Sequence, residues 1–194
     1  TLTLTTLAGN VNITTNSFVE PESSQYISVS TGYDYIETSK EKIEELKQLN
    51  NKIFADKYTD EGTAYLTYLA TGLEGRTLEH IGIAHGGGGN GKSLLNELAM
   101  ATYGNYSYEG SIDTLINPLK AGVCVEVNNM NKKRFGVWGE PPIGKTFCSG
   151  TVCKLTGGAL VNARSIYSTN TNVKLHITMI SECNKQPKLD DIHD

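Results

Sequence analysis

Between residues 81 and 98 the chain reads IGIAHGGGGNGKSLLNEL, and this stretch restricts the fold more than any other. Gly86, four residues, then Gly91-Lys92-Ser93 fit the pattern G-x-x-x-x-G-K-[ST], in which main-chain N–H groups surround a phosphate. Side chains would block that approach. Glycines clear the space and reach the positive φ that turns successive N–H groups inward as an anion nest. Gly86, Gly87, Gly88, Gly89, Asn90 and Gly91 form the candidate cradle, with Lys92, Ser93 and Leu94 opening a helix behind it. Lys92 is placed to reach the β- and γ-phosphates of ATP, and the Ser93 hydroxyl to hold Mg²⁺. His80–Ala84 reads as a short buried strand, and Lys92–Tyr103 as a helix with Leu94, Leu95, Leu98 and Ala99 on one apolar face. Strand, loop and helix in that order put an anion at a helix N-terminus, where the dipole favours it. Four consecutive glycines also suit a plain flexible turn, but the Lys-Ser pair and both flanking elements favour a nucleotide site.

A chain of 194 residues can bury one good core with a small accessory segment. It contains nothing near the roughly 20 uninterrupted apolar residues of a membrane helix, and no basic segment followed by an apolar run marks a signal peptide. Cys124, Cys148, Cys153 and Cys183 show no C-x-x-C pair and no zinc spacing, so free thiols in a reducing compartment are expected. Together these point inside a cell. The net charge of −4 argues against a protein that coats nucleic acid over its whole surface. It permits a local basic site, such as a pore lined by one loop per subunit. A chain opening on Thr1 reads as a piece of something longer.

Three regions are expected: a connector over residues 1–37, a helical layer over 38–76, and an α/β nucleotide-binding core over 77–194. Thr1–Glu20 is rich in Thr and Asn and gives no clear element, whereas Tyr26–Ser30 alternates as a short strand. Thr38 to Glu41 suits a capping box ahead of a helix carrying Ile43, Leu46 and Leu49, and Glu61–Leu73 suits a second amphipathic helix. Beyond the glycine loop, Ile112–Pro118 reads as a short helix and Val123–Val127 as a strand, with a loop as the alternative. Arg134 to Glu140 reads as a strand ending in an acid, where a carboxylate can orient Mg²⁺ or polarise the attacking water. Ser149–Thr156 reads as a helix bearing Lys154, and Leu160–Tyr167 and Val173–Ser181 as two strands about a polar turn. Asn184 then stands at a strand tip, where it could meet a γ-phosphate or merely turn the chain before Pro187. Lys154, Arg164 and Lys174 are the basic residues of this late segment and the candidate contacts for a nucleic-acid backbone. Pairing of Lys154 or Arg164 with a neighbouring subunit's carboxylate is the competing reading.

In order along the chain, five runs resemble the superfamily 3 helicases, in the branch of primase–helicases found in poxviruses and other large DNA viruses, and in some phages and plasmids. The runs are Tyr26–Tyr33, Gly86–Leu95, Lys133 to Pro141, Lys154–Gly158 with Ala163-Arg164, and Glu182–Leu189. The resemblance implies a P-loop NTPase core of AAA+-like type, assembled as a ring, usually a hexamer, that moves along single-stranded DNA. It implies ATP and Mg²⁺ as cofactors, a primase domain in the same polypeptide, and work in the host cytoplasm or at a viral replication site. Under it Glu140 is the Walker B acid, also facing Mg²⁺, and Asn184 the sensor; with Lys92 they would carry hydrolysis. Two departures stand out. Ala159 occupies the place where many relatives carry Asp, and the family's arginine finger and last core strands fall beyond Asp194, so the core is expected to be incomplete. Two other classes fit the loop alone: another P-loop enzyme such as a kinase or packaging ATPase, and a non-catalytic nucleotide-binding remnant. DNA-stimulated ATP turnover separates the first from the helicase, and binding without turnover marks the second.

Overall fold

The computed structural model describes residues 3–22, 24, 27–55, 59–119, 124–163 and 171–190. The chain begins with three short antiparallel strands in sequence order, β1 (Thr3–Thr5), β2 (Asn10–Asn12) and β3 (Ser17–Val19). Two helices follow, α1 (Lys40–Phe54) and α2 (Thr59–Ala70), the latter running on into a 3₁₀ turn at Thr71–Leu73. The remainder runs β4 (Gly82–His85), α3 (Lys92–Tyr103), β5 (Ser107–Gly110), α4 (Asp113–Ile116), α5 (Val125–Met130), β6 (Phe135–Trp138), α6 (Ser149–Thr156), β7 (Leu160–Ala163), β8 (Thr171–Lys174) and β9 (Thr178–Cys183).

The centre is a four-stranded, all-parallel sheet in the order β4-β9-β6-β5. Parallel strands covered on both faces read as unbroken apolar runs, and Phe135-Gly-Val-Trp138 is buried at every position. Phe135 and Val137 join Ile180, Ala84, Leu69 and Tyr103 on the face covered by α2 and α3. Trp138 and Met179 turn the other way, into a cluster with Leu115, Val127, Met130, Phe147 and Leu155. Each such large side chain, fully buried, contributes about 1.5–3 kcal/mol. Tyr68 ties α2 to two strands at once: its hydroxyl donates to the Met179 carbonyl (2.6 Å) and accepts from the Gly82 N–H (2.7 Å). The N-terminal strands dock through Leu4 in the same cluster as Tyr106.

Several expectations need correction. Val125–Met130 is helical rather than extended, because Val127 and Met130, one turn apart, both reach the core; Val123 lies outside the described residues. The segment after Asn172 is two strands in different sheets. Val173, Leu175, Ile177 and Met179 all enter one core cluster, so the alternation continues unbroken while the hydrogen-bond partners change. Ile27–Ser30 has no regular structure, and Tyr26 lies outside the described residues. This segment is pinned by side chains instead, Tyr106 to the Val29 carbonyl and Lys132 to Ser28. The Thr- and Asn-rich opening, whose sequence shows no clear element, is the three-stranded sheet. Ser39 rather than Thr38 caps α1, accepting from the Lys42 N–H. On α3 the buried stripe carries Leu95, Asn96 and Tyr103, while Leu94 and Leu98 stay 45% and 40% exposed.

Candidate functional site

Strand register assembles the site. His85 pairs with Cys183, and Trp138 with Ser181, so the chain leaving β4, β9 and β6 emerges along one edge of the sheet. Ligands of open parallel sheets bind outside this carboxyl edge. The loop Gly86–Gly91 connects β4 to α3 here, and its first N–H is held by the Cys183 carbonyl (3.2 Å). Gly91 caps α3 with φ +85°, and a Cβ there would lie 2.7 Å from Ile53, so the position suits glycine on both counts. No side chain of the capping residue closes the helix, leaving its first-turn N–H groups open to an anion. Lys92 N–H is the partial exception, donating to Asn90 Oδ1 at 3.4 Å.

Lys92 folds back over the loop. Its Nζ donates to the carbonyls of Gly86 (3.2 Å) and Gly87 (3.4 Å) and to Asn184 Oδ1 (2.9 Å). Asn184 is a bridge: its Nδ2 donates to Glu140 Oε2 at 3.0 Å, while its own N–H and that of Lys185 donate to Glu140 Oε1, each at 3.0 Å. Glu140, two residues beyond β6, is thus oriented by three N–H groups of the β9 exit. A cleft of about 780 Å³ opens on this side, lined by Glu140, Ile143, Lys145, Asn184, Lys185 and Lys188 among others.

Ser93 faces another carboxylate. Its hydroxyl donates to Glu182 Oε2 at 2.6 Å, and Asn96 Nδ2 donates to Glu182 Oε1 at 2.7 Å. Asn96 is 1% exposed, and its Oδ1 accepts from the Tyr65 hydroxyl at 2.8 Å. Burial pushes the Tyr65 phenol well above its ordinary range, so it remains a donor at any physiological pH. A cleft of about 420 Å³ lies beside this group, lined by Ser93, Asn96, Glu97, Glu109 and Glu182 with others. Glu182 is the residue that sequence reasoning passes over. The available signals are an acid inside the otherwise uncharged strand TMISEC and its place at the head of the Glu182–Leu189 run.

Among the described residues no group of three or more His, Cys, Asp or Glu could hold a metal. Ser93 with one or two carboxylates suits Mg²⁺, which keeps several waters and binds through few carboxylates plus phosphate oxygens. Leu94 lies exposed in the first turn of α3. The structure joins Lys92, Asn184 and Glu140 through hydrogen bonds, sets Ser93 against Glu182 rather than Glu140, and leaves the basic candidates apart from them. Lys154 is exposed in the last turn of α6, and Lys174 is exposed at the foot of the β7–β8 pair, opposite Leu160. Arg164 lies outside the described residues. Arg134 sits at the amino end of β6, donating to the Leu73 carbonyl (2.6 Å) and stacking over Tyr106 (5.4 Å).

No family model and no curated protein matches this chain. Solved structures do. The apo structure of the C-terminal region of NrS-1 has a TM-score of 0.60 at 14% identity, over 78% of this chain and 36% of that one. A second, A-form apo structure of the same region gives 0.60 at 15% identity, over 76% and 34%. The chain therefore shares its fold with about a third of the length of those structures. No helix among the described residues is long and apolar enough to cross a membrane.

Proposed function

We propose that this chain is the ATPase core of a superfamily 3-type DNA helicase, coupling ATP hydrolysis to movement on single-stranded DNA as part of a ring, in a polypeptide that also carries a primase domain. The observation that carries the reading is the bridge from Lys92 through Asn184 to Glu140 at the carboxyl edge of the parallel sheet, beside a glycine loop that opens onto a helix N-terminus. The five ordered sequence runs and the shared fold support it. In this reading the loop N–H groups and Lys92 hold the phosphates, exchanging the Gly86, Gly87 and Asn184 acceptors for phosphate oxygens. Glu140 takes a proton from, or orients, the attacking water, and Asn184 fixes both Glu140 and the γ-phosphate. Bound Mg²⁺ supplies charge neutralisation between the phosphates.

Lys92→Ala removes the cation facing the phosphates, a charge-assisted contact worth roughly 1.5–3 kcal/mol. The affinity for a fluorescent ATP analogue should fall by about tenfold or more with the fold retained. Glu140→Gln keeps the shape and loses the charge, so binding should survive and turnover by the assembled protein should stop. Unchanged affinity in Lys92→Ala, or full turnover in Glu140→Gln, would refute the assignment.

A further inference from the structure

We propose that Glu182 is the carboxylate that faces the divalent cation, and that Asn96 and Tyr65 are positioning residues that hold it against Ser93. The inference rests on the nucleotide-site reading above and divides the labour of the two acids. Glu140 is turned toward the β9 exit, and both its oxygens already accept N–H groups from Asn184 and Lys185. The residue before it is Gly139, so β6 supplies no second acid there. The carboxylate that meets the Ser93 hydroxyl comes instead from β9, the strand lying between those of the glycine loop and Glu140. Its two oxygens have different partners. Oε1 is fixed by Asn96, a side chain buried between α3 and the sheet, and Oε2 is presented to Ser93. Asn96 is fixed in turn by Tyr65, which reaches in from α2.

The chain of hydrogen bonds Tyr65–Asn96–Glu182–Ser93 therefore links the helical layer to the hydroxyl expected beside the cation. Partners of this kind orient metal-facing ligands and set their affinity. The surroundings agree in charge: Glu97 and Glu109 line the same cleft as Glu182, and a cleft of one sign concentrates counter-ions. On the Glu140 side, by contrast, the cleft is lined by Lys145, Lys185 and Lys188, a setting suited to phosphate oxygens rather than a cation.

The test uses the 194-residue chain and a fluorescent ATP analogue, titrated once in EDTA and once in excess Mg²⁺. Wild type should bind in EDTA and tighten with Mg²⁺. Glu182→Gln should keep the EDTA affinity and need about tenfold more Mg²⁺, or more, to reach half of the tightening. Glu182→Asp keeps the charge at shorter reach and should fall between the two. Tyr65→Phe, which touches neither nucleotide nor cation, should raise the Mg²⁺ requirement by roughly two- to tenfold. Glu140→Gln should respond to Mg²⁺ as wild type does. A wild-type Mg²⁺ response in Glu182→Gln, or its loss in Glu140→Gln, would overturn the assignment. A wild-type chain that binds no nucleotide in either buffer overturns the nucleotide-site reading itself, which is a different result.

Discussion

At the scale of single residues, the buried amide of Asn96 has the most at stake. It is the one side chain through which a phenol on α2 and a carboxylate on β9 are both satisfied. Asn96→Leu fills a similar volume but strands the Tyr65 hydroxyl and Glu182 Oε1, and an unsatisfied buried partner costs about 1–3 kcal/mol. Tyr65→Phe alone removes a donor and an ordinary hydrogen bond, worth about 0.5–1.5 kcal/mol. The two substitutions share one contact, so they should not add: the double variant, which no longer strands the Tyr65 hydroxyl, should be at least as stable as Asn96→Leu alone. Urea denaturation of the four proteins measures the coupling, and additive losses would show that Tyr65 and Asn96 do not act through each other. Lys92 and Ser93 are legible in the sequence because the loop motif is local. Glu182 is not, because its meaning comes from Ser93, 89 positions earlier, and that partnership is made only by the pairing of β4 with β9.

At the scale of elements, the N-terminal sheet is held to the core at a point the sequence conceals. Gly104 ends α3 at φ +53°, ψ −125°, and a Cβ built there lies 1.9 Å from the Thr31 carbonyl oxygen. That carbonyl accepts from the Asn105 N–H (3.0 Å), while the Thr31 N–H donates to Thr5 in β1 (2.7 Å). Gly104→Ala must therefore push the connector away or strain its own backbone, at a cost of about 1–3 kcal/mol. Amide exchange should accelerate across β1 and β2 before it does in β6. Uniform loss of protection, or none, would mean that this contact does not hold the sheet. The ends of α3 and α6 agree with the sequence reading, although α3 turns Leu95, Asn96 and Tyr103 inward and leaves Leu94 and Leu98, half of the apolar face that periodicity suggests, exposed. The β8–β9 boundary is not readable: one core receives the side chains of both strands, and periodicity registers burial rather than hydrogen-bond partner. The opening strands escape notice for other reasons: β3 is exposed throughout, and β1 and β2 bury the polar Thr5 and Asn10 beside Leu4 and Val11, so no apolar alternation marks them.

At the scale of the whole molecule, charge decides where single-stranded DNA would lie under the proposed helicase reading. A net charge of −4 repels a phosphate backbone from most of the surface, so binding needs cations gathered in one place. Two groupings compete. One is the proposed late segment, with Lys154 on α6, Lys174 on β8, and Arg164 between them in sequence. The other is the cleft of about 370 Å³ at the amino edge of the sheet, lined by Lys132, Lys133, Arg134 and His176 among others. The second is already engaged internally: Lys132 donates to Ser28, Lys133 to the Asn105 carbonyl (2.7 Å) and Arg134 to the Leu73 carbonyl. Using it for DNA would mean exchanging contacts that pin the connector, whereas Lys154 and Lys174 stand exposed. The expected result is that Lys154→Ala and Lys174→Ala each weaken single-stranded DNA binding. Each should also reduce the slope of log affinity against log salt by about 0.7 for every phosphate that is no longer neutralised. Lys132→Ala and Lys133→Ala should leave that slope unchanged while lowering the thermal midpoint. If the slope falls in the second pair and not in the first, the DNA path runs along the amino edge of the sheet, and the late strands have another task.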